Sequence, residues 1–112
     1  MSTDDVLQRY RRQLVDWSEA HHDPERANTL FRANHATYKV LRETDEGRTG
    51  IEKLTGDVVT AVRLMAAVHC LPWASEIGVP VLETLELRDG DFAIDAKYSL
   101  IAYRDGSLNL DW

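Results

Sequence analysis

A motif of eight residues that occurs twice constrains the fold of this chain more than any other feature. Residues 56–63 read GDVVTAVR, and residues 90–97, which begin 34 positions later, read GDFAIDAK. Both copies begin with Gly-Asp, have a small apolar residue five places after the Asp, and place a cation directly after it. A period of this length is typical of helical repeat proteins, in which each helix pair buries its apolar face against its neighbour.

The length and composition of the chain indicate one globular domain over residues 1–112. The 112 residues are 44% hydrophobic and 29% charged, with three prolines and six glycines. This balance is typical of a folded protein with one modest core and differs from that of a disordered chain. No apolar run approaches the ~20 residues that a membrane span requires, and the polar first residues do not resemble a secretory signal. We therefore expect a cytoplasmic protein without a membrane partner.

Acidic side chains outnumber basic ones, 19 to 13, which gives a formal net charge of −6. Residues 47–112 carry the larger share, with ten acidic and six basic side chains, against nine and seven in residues 1–46. Such a charge repels the phosphates of nucleic acids and favours a partner with a basic surface. We therefore expect a protein partner and no nucleic acid.

Apolar residues recur at helical spacing in six segments that turn residues separate. One of residues 3–5 can cap the first helix, because Ser, Thr and Asp accept hydrogen bonds from the free N–H groups of a helix start. Before the second segment, Asp23 fits the N-cap and Pro24 fits the first helical position. The predicted helices cover residues 3–20, 24–42, 49–54, 58–69, 74–88 and 92–104.

These segments predict an all-α fold, namely a right-handed HEAT/armadillo-like stack of about six helices in three antiparallel pairs. Residues 1–46 form a capping helix pair, residues 47–106 form two HEAT-like repeats, and residues 107–112 form a short tail. Apolar residues alternate in the tail as they do in an extended strand. Strand content should nevertheless be near zero.

Polar residues at helix starts and within one apolar stripe predict structural contacts. Asp57 and Asp91, the second residues of the two motif copies, fit the N-cap positions of the helices that follow. From there Asp91 can reach Arg63 of the preceding copy, and we expect an ion pair between them.

Asn34 lies within an apolar stripe, where an unpartnered amide would cost about 1–3 kcal/mol. We expect it to bond the loop at residues 44–50 or a neighbouring helix end, with a ligand contact as the alternative.

The sequence contains no recognisable catalytic or metal-binding motif. It has no GxSxG sequence, no phosphate-binding glycine loop and no HExxH sequence. Cys70 is the only cysteine, which excludes an internal disulfide and a multi-cysteine zinc site. Zinc ligands on one helix face would require two histidines and a carboxylate at helical spacing, and no histidine of this chain is part of such a set. We therefore expect no enzyme activity, no metal and no cofactor. The four histidines are His21, His22, His35 and His69.

Acidic residues cluster around the turn between the last two predicted helices. A run of carboxylates is often only a solvated surface, but it also complements the charge of a basic protein. Tyr98 lies beside this cluster, and tyrosine is enriched at binding surfaces. The partner-binding residues predicted from the sequence are Glu83, Glu86, Asp89, Asp95 and Tyr98.

With these residues in view, the chain resembles a family of small bacterial HEAT/armadillo-like domains, most of which have no assigned function. The segments VRLMAA at residues 62–67 and YRDGSL at residues 103–108 carry the resemblance. Some members of that family resemble immunity proteins that neutralise secreted polymorphic toxins. Shorter matching segments lie at residues 26–28, 40–43, 47–48 and 81–83.

The resemblance implies a stoichiometric, non-enzymatic inhibitor of a bacterial toxin domain, and it assigns no contact residues. The alternative is a scaffold or adaptor that holds a peptide or helix of another cytosolic protein between stacked helix pairs. A neighbouring gene for a secreted toxin would favour the first function, and a metabolic operon would favour the second. A small enzyme or ligand-binding subunit would instead require a polar cleft that contains carboxylates or histidines of perturbed pKa.

Overall fold

The computed structural model describes residues 2–88 and 90–112, and its regular structure is entirely α-helical. The prediction of an all-α chain is confirmed, and no strand occurs within these two ranges. Residues 2–88 and 90–112 contain five helices where about six were predicted for the chain. They are α1 (Thr3–Glu19), α2 (Pro24–Leu41), α3 (Asp45–Leu54), α4 (Thr60–Glu86) and α5 (Ala93–Asp105).

The first two helices begin with side-chain caps. Ser2 caps α1 in a capping box: its hydroxyl accepts from the Asp5 N–H at 3.2 Å, and the Asp5 carboxylate accepts from the Ser2 N–H at 3.4 Å. The cap therefore lies one residue before the predicted range of 3–5. Asp23 caps α2 by accepting from the Arg26 N–H at 3.1 Å, and Pro24 is the first helical residue, as predicted.

Helix α3 begins four residues earlier than predicted. Thr44 caps it by accepting from the Gly47 N–H at 3.0 Å. Gly47, which the predicted start at residue 49 left outside the helix, and Gly50 both occupy helical positions at close contacts. A Cβ on Gly47 would overlap the Leu41 carbonyl oxygen, and a Cβ on Gly50 would overlap the Leu7 side chain. They therefore allow α3 to approach its neighbours.

Helix α4 bends back on itself at Ala74, whose φ of −144° and ψ of 54° are not helical. A Cβ on Gly78 would lie 2.5 Å from the Ala67 carbonyl oxygen. In a straight helix, positions eleven residues apart are separated by about 16 Å. Residues 60–73 and 75–86 thus pack as two arms. The predicted helices at residues 58–69 and 74–88 are close to these arms, but the first arm continues through Pro72 and the break lies at Ala74.

The core centres on α4, which packs against α5, α3 and α1, while α1 packs chiefly against α2. Val62 and Ala96, which occupy the same place in the two motif copies, are both fully buried. Tyr10 of α1 and Tyr38 of α2 are also fully buried. The repeated motif therefore marks two positions at the centre of the packing.

By length and composition alone, α4 is also able to cross a membrane. Its most apolar window of 18 residues has a mean hydropathy of 1.2, and half of that window is buried within the fold. The central helix of a globular protein meets the same criterion.

The two Gly-Asp pairs make different contacts, and the predicted N-cap roles of Asp57 and Asp91 are wrong. Neither aspartate is an N-cap, because α4 and α5 are preceded by Val59 and Phe92. Asp57 instead accepts from Arg11 of α1 at 2.8 and 3.1 Å. The cap positions fall one or two residues after each Asp, where an apolar side chain enters the core.

Arg63 does not form the predicted ion pair with Asp91. Its guanidinium donates to the Asp57 carbonyl oxygen at 2.9 Å and to the Thr60 hydroxyl at 3.2 Å. These acceptors lie in the turn before α4 and at the first residue of α4. Arg63 therefore stabilises the start of its own helix and does not connect the two motif copies.

Replacing Asp57 with alanine is expected to lower the free energy of unfolding by about 1–2 kcal/mol, since it removes charge-assisted hydrogen bonds to Arg11. The Asp57 side chain is only 11% exposed, and the bonds from Arg11 hold the pKa of its carboxyl below the ordinary value. The matched control is Asp91→Ala at the equivalent, exposed position, which should change stability by less than about 0.5 kcal/mol. Urea unfolding of the three proteins measures the difference, and equal losses would contradict this asymmetry.

Asn34 is 1% exposed and its amide is hydrogen-bonded, but not to the partners expected. The side-chain NH₂ donates to the Tyr10 carbonyl oxygen at 3.1 Å and to the Gln13 side-chain oxygen at 3.4 Å. Both acceptors lie in the middle of α1, so the amide bonds neither residues 44–50 nor a helix end. Asn34 therefore joins α2 to α1.

The tail at residues 107–112 has no regular secondary structure, and it pairs with no strand in the described part of the chain. Leu108 and Leu110 pack against the core. The Trp112 ring stacks on His35 of α2, with 3.7 Å between ring centres. Arg42 donates to the Leu110 carbonyl oxygen at 3.1 Å, so side chains hold the tail in place of a sheet ladder.

Candidate functional site

Three large apolar side chains are exposed along one side of α5. Ile94, Tyr98 and Ile101 are 66%, 62% and 46% exposed. Their spacing of four and three residues places them on one helix face. Ala96 and Leu100, on the opposite side, are buried against the rest of the protein. We call the exposed stripe of Ile94, Tyr98 and Ile101 the α5 face.

Charged side chains lie beside the α5 face on both sides. Asp95 is exposed and lies on one flank, and Lys97 is exposed on the other. Asp105 lies in line with the stripe at the end of the helix, where the bond from Ser107 lowers the pKa of its carboxyl. An apolar strip with a charged margin is typical of a surface that binds another protein.

The structure distributes the predicted partner-binding residues over two helices. Asp95 and Tyr98 lie on or beside the α5 face, as described above. Glu83, on the second arm of α4, accepts from Arg104 of α5 at 3.2 Å, so its charge is partly neutralised. Glu86 is half-buried, and Asp89 lies outside the described residues.

Sequence reasoning missed Ile94 and Ile101. The signal was present, because Ile94, Tyr98 and Ile101 recur at helical spacing. The prediction of partner-binding residues was based on the carboxylates and on Tyr98, and it did not use this spacing. A helix that is apolar on two sides is buried on both or keeps one side for a partner.

Two of the four histidines belong to a buried aromatic cluster. The Tyr10 hydroxyl and Nδ1 of His69 are hydrogen-bonded at 2.6 Å. Tyr38 stacks on His69, with 4.1 Å between ring centres. Burial lowers the pKa of His69 to about 3 and lowers that of His35 in the same direction. Both rings are therefore neutral at pH 7, and their contacts are those of packed side chains.

Neither the histidines nor the cysteine assembles a reactive or metal-binding centre in the part of the chain that the structure describes. Within residues 2–88 and 90–112, no group of three or more His, Cys, Asp or Glu side chains is arranged to hold a metal ion. Burial raises the pKa of the Cys70 thiol to about 12. Because the thiolate is the reactive form, Cys70 is a poor nucleophile at pH 7.

The fold and this surface define a small helical protein with an exposed apolar face on its last helix. No family model and no curated protein matches the sequence. The chain is similar to the crystal structure of the protein RPA1889 from Rhodopseudomonas palustris CGA009. The two chains are 26% identical, the match covers 97% of this chain and 93% of that one, and the TM-score is 0.88. The arrangement of helices is therefore shared by a second chain of nearly the same extent.

Proposed function

We propose that this chain is a non-enzymatic immunity protein that binds and blocks the catalytic domain of a secreted bacterial toxin. The observation that carries the proposal is the α5 face, where Ile94, Tyr98 and Ile101 are exposed without a covering element in the described structure. Aromatic and aliphatic side chains of this kind supply most of the free energy at protein interfaces. The toxin as partner comes from the family resemblance.

The charge of the protein supports a partner with a basic surface. The net charge is −6, and Asp95 and Asp105 border the α5 face. Complementary charge accelerates association and selects among partners. A toxin that acts on nucleic acid would have such a basic surface, and blocking it in the cytoplasm would require no catalytic group in the inhibitor.

The finer fold assignment belongs to the same proposal. In a right-handed HEAT/armadillo-like stack, α1 would pair with α2, α3 with the first arm of α4, and the second arm with α5. The packing of α1 on α2 and of α4 on both α3 and α5 supports this grouping. The bend at Ala74 supplies the sixth helical segment that three pairs require.

The proposal predicts that a neighbouring gene encodes a secreted toxin, and the toxin domain of that gene is the partner to test. We expect the two purified proteins to form a 1:1 complex in titration calorimetry. Tyr98→Ala should weaken that complex at least about tenfold, because interface tyrosines commonly contribute 1–2 kcal/mol or more. The control is Val40→Ala, which truncates a side chain that is 60% exposed on α2 and should leave the dissociation constant unchanged. Equal affinity of both variants, or no complex with the wild-type chain, would contradict the proposal.

The second candidate function is a scaffold or adaptor that binds a peptide. The tail favours it, because the partly buried Leu108 and Leu110 pack against the core and Arg42 donates to the Leu110 carbonyl oxygen. The fold can thus hold a segment without regular secondary structure on this side. A gene neighbourhood of metabolic enzymes without a toxin would favour this function.

A further inference from the structure

A groove of about 430 Å³ lies between the end of α3, the start of α4 and the end of the second arm of α4. We call it the arginine groove, because Arg63 and Arg88 both line it. Its volume is in the range of sites that hold small molecules. No Asp or Glu is among the described residues that line it, and no residue of the α5 face contributes to it. The groove is thus a locally positive surface on a chain of net charge −6.

Arg63 is half-buried and its charge is not paired with a carboxylate. Its Nη1 donates to the carbonyl oxygens of Asp57 and Val58 at 2.9 and 3.3 Å, and its Nη2 donates to the Thr60 hydroxyl at 3.2 Å. The Asp57 carboxylate itself accepts from Arg11. Because a guanidinium has five N–H donors, the Nε–H and one Nη2 N–H of Arg63 have no partner in the described part of the chain.

The contacts of Arg63 also hold its guanidinium in one orientation. Three hydrogen bonds to the turn before α4 and to the first residue of α4 restrict the side chain. A ligand that binds this group therefore loses little of its free energy to the ordering of a flexible side chain. The acceptors are neutral, so the positive charge is kept for the ligand.

Arg88 supplies a second positive charge to the same groove. It is exposed, and it forms no ion pair or side-chain hydrogen bond with another described residue. Asp91 borders an adjoining cavity that Arg88 also lines, and no ion pair joins these two side chains. The groove therefore presents two cations with unused N–H donors.

The rest of the arginine groove offers apolar surface and no further donor. Pro80, Val81 and Leu85 line it. The hydroxyls of Thr55 and Thr84 also border it, but both donate to backbone carbonyl oxygens, at 2.6 and 3.0 Å. The guanidinium N–H groups are thus the donors that a ligand would meet, which favours an anion that only accepts hydrogen bonds.

A phosphate monoester matches this combination better than a carboxylate does. It carries a charge of about −1.5 to −2 at pH 7 and three acceptor oxygens, whereas a carboxylate carries a single charge. Two guanidinium groups can therefore both be neutralised by one phosphate. Arginine is also well suited to phosphate, because its planar set of donors fits two oxygens at once.

We propose that the arginine groove binds a small phosphate monoester. The phosphate oxygens accept from the unused Nε–H and Nη2–H of Arg63 and from the guanidinium of Arg88. The organic group of the ester lies against Pro80, Val81 and Leu85. This site is independent of the proposed toxin complex, which uses the α5 face.

The test titrates phenyl phosphate into the full chain in dilute salt, by calorimetry or NMR. We expect a dissociation constant of about 1 mM or lower. Benzyl alcohol, a neutral analogue, should bind at least about tenfold more weakly. Inorganic phosphate should bind about threefold or more weakly than phenyl phosphate, because it buries no apolar surface. Equal affinity of phenyl phosphate and either of these two compounds would overturn the proposal, and so would the absence of binding.

Arg88→Gln should weaken the binding of phenyl phosphate at least about fivefold. The melting temperature should not change, because Arg88 is exposed and unpaired among the described residues. Arg32→Gln, which replaces an exposed arginine of α2, is the matched control and should leave the affinity unchanged. Unchanged affinity in Arg88→Gln, or an equal loss in Arg32→Gln, would overturn the proposal.

A parallel titration with N-acetyl-phosphotyrosine amide distinguishes two sources of the ester, because it carries the same phosphate on a peptide backbone. Tighter binding than that of phenyl phosphate would assign a phosphorylated side chain of another protein, and weaker binding would assign a free small molecule. Both results support the proposal only if Arg88→Gln weakens the binding of the tighter compound.

Discussion

Replacing Gly47 with alanine is expected to lower the free energy of unfolding by about 3 kcal/mol or more. Gly47 lies in the first turn of α3 and is buried, and an added Cβ would overlap the Leu41 carbonyl oxygen. That atom belongs to the backbone of the last turn of α2, so it cannot move aside as a flexible side chain would. The two helices would have to separate, which would also disturb the neighbouring core contacts of Leu41.

Gly90→Ala is the matched control for this substitution. A Cβ at Gly90 would meet nothing within 4 Å, so alanine there should be neutral or should stabilise the fold slightly by restricting the unfolded chain. Denaturant unfolding, followed by circular dichroism, measures both variants. A loss of less than about 1 kcal/mol for Gly47→Ala would show that α2 and α3 are not packed as closely as described here.

Lowering the pH from 7 to 5 is expected to remove about 2 kcal/mol of stability through His69 alone. The pKa of His69 is about 3 in the folded protein because the ring is buried, whereas an unfolded histidine has a pKa of about 6.5. Below pH 6.5 the unfolded chain therefore binds a proton that the folded chain does not. Stability is fully present above this pH and is lost as the pH falls toward 3.

His69→Gln identifies the source of this pH dependence. The variant should be less stable at pH 7, because the hydrogen bond with Tyr10 is changed, but its stability should vary less between pH 7 and pH 5. His35 adds to the loss in the same direction, since burial also lowers its pKa. The pKa of the Asp57 carboxyl lies below its ordinary value, so its contribution is lost only at lower pH. An equal pH slope in wild type and His69→Gln would contradict the assignment.

The sequence predicted the start of a helix well where the chemistry of one or two residues determines that start. Asp23 and Pro24 start α2 because one accepts from the free N–H groups and the other lacks an N–H that the helix start does not need. The predicted α3 left Gly47 outside the helix, but the small size of Gly47 serves a contact with the backbone of Leu41 in the neighbouring helix. Helix propensity reports only the local cost of a glycine and contains no information on which backbone will lie against it.

Residues at equivalent positions of the repeated motif do not make equivalent contacts. Asp57 and Asp91 occupy the same place in a repeated motif, yet only Asp57 lies opposite Arg11, because α1 packs near the first copy. Likewise, the partner of Asn34 is the carbonyl oxygen of Tyr10 in the middle of α1. Such pairings depend on how helices are placed in three dimensions.

The candidate surfaces were predictable to different degrees. Tyr98, which the sequence predicted as a partner-binding residue, is exposed on the last helix, and the two isoleucines beside it follow the same spacing. A cavity of about 540 Å³ that is lined by Tyr38, Arg42, Trp73 and Tyr103 could not be predicted, because Trp73 and Tyr103 reach it from segments at least 30 positions away.

Because α4 bends at Ala74, its two arms, which are consecutive in sequence, also pack against each other in space. Helix α2 packs mainly against α1, and α4 packs mainly against α3 and α5, so a helix pair can assemble once its second member has left the ribosome. Contacts of such short range are typical of rapid folding. The hydrogen bond between Tyr10 and His69 spans 59 positions, and this closure has to wait until the first arm of α4 has been synthesised.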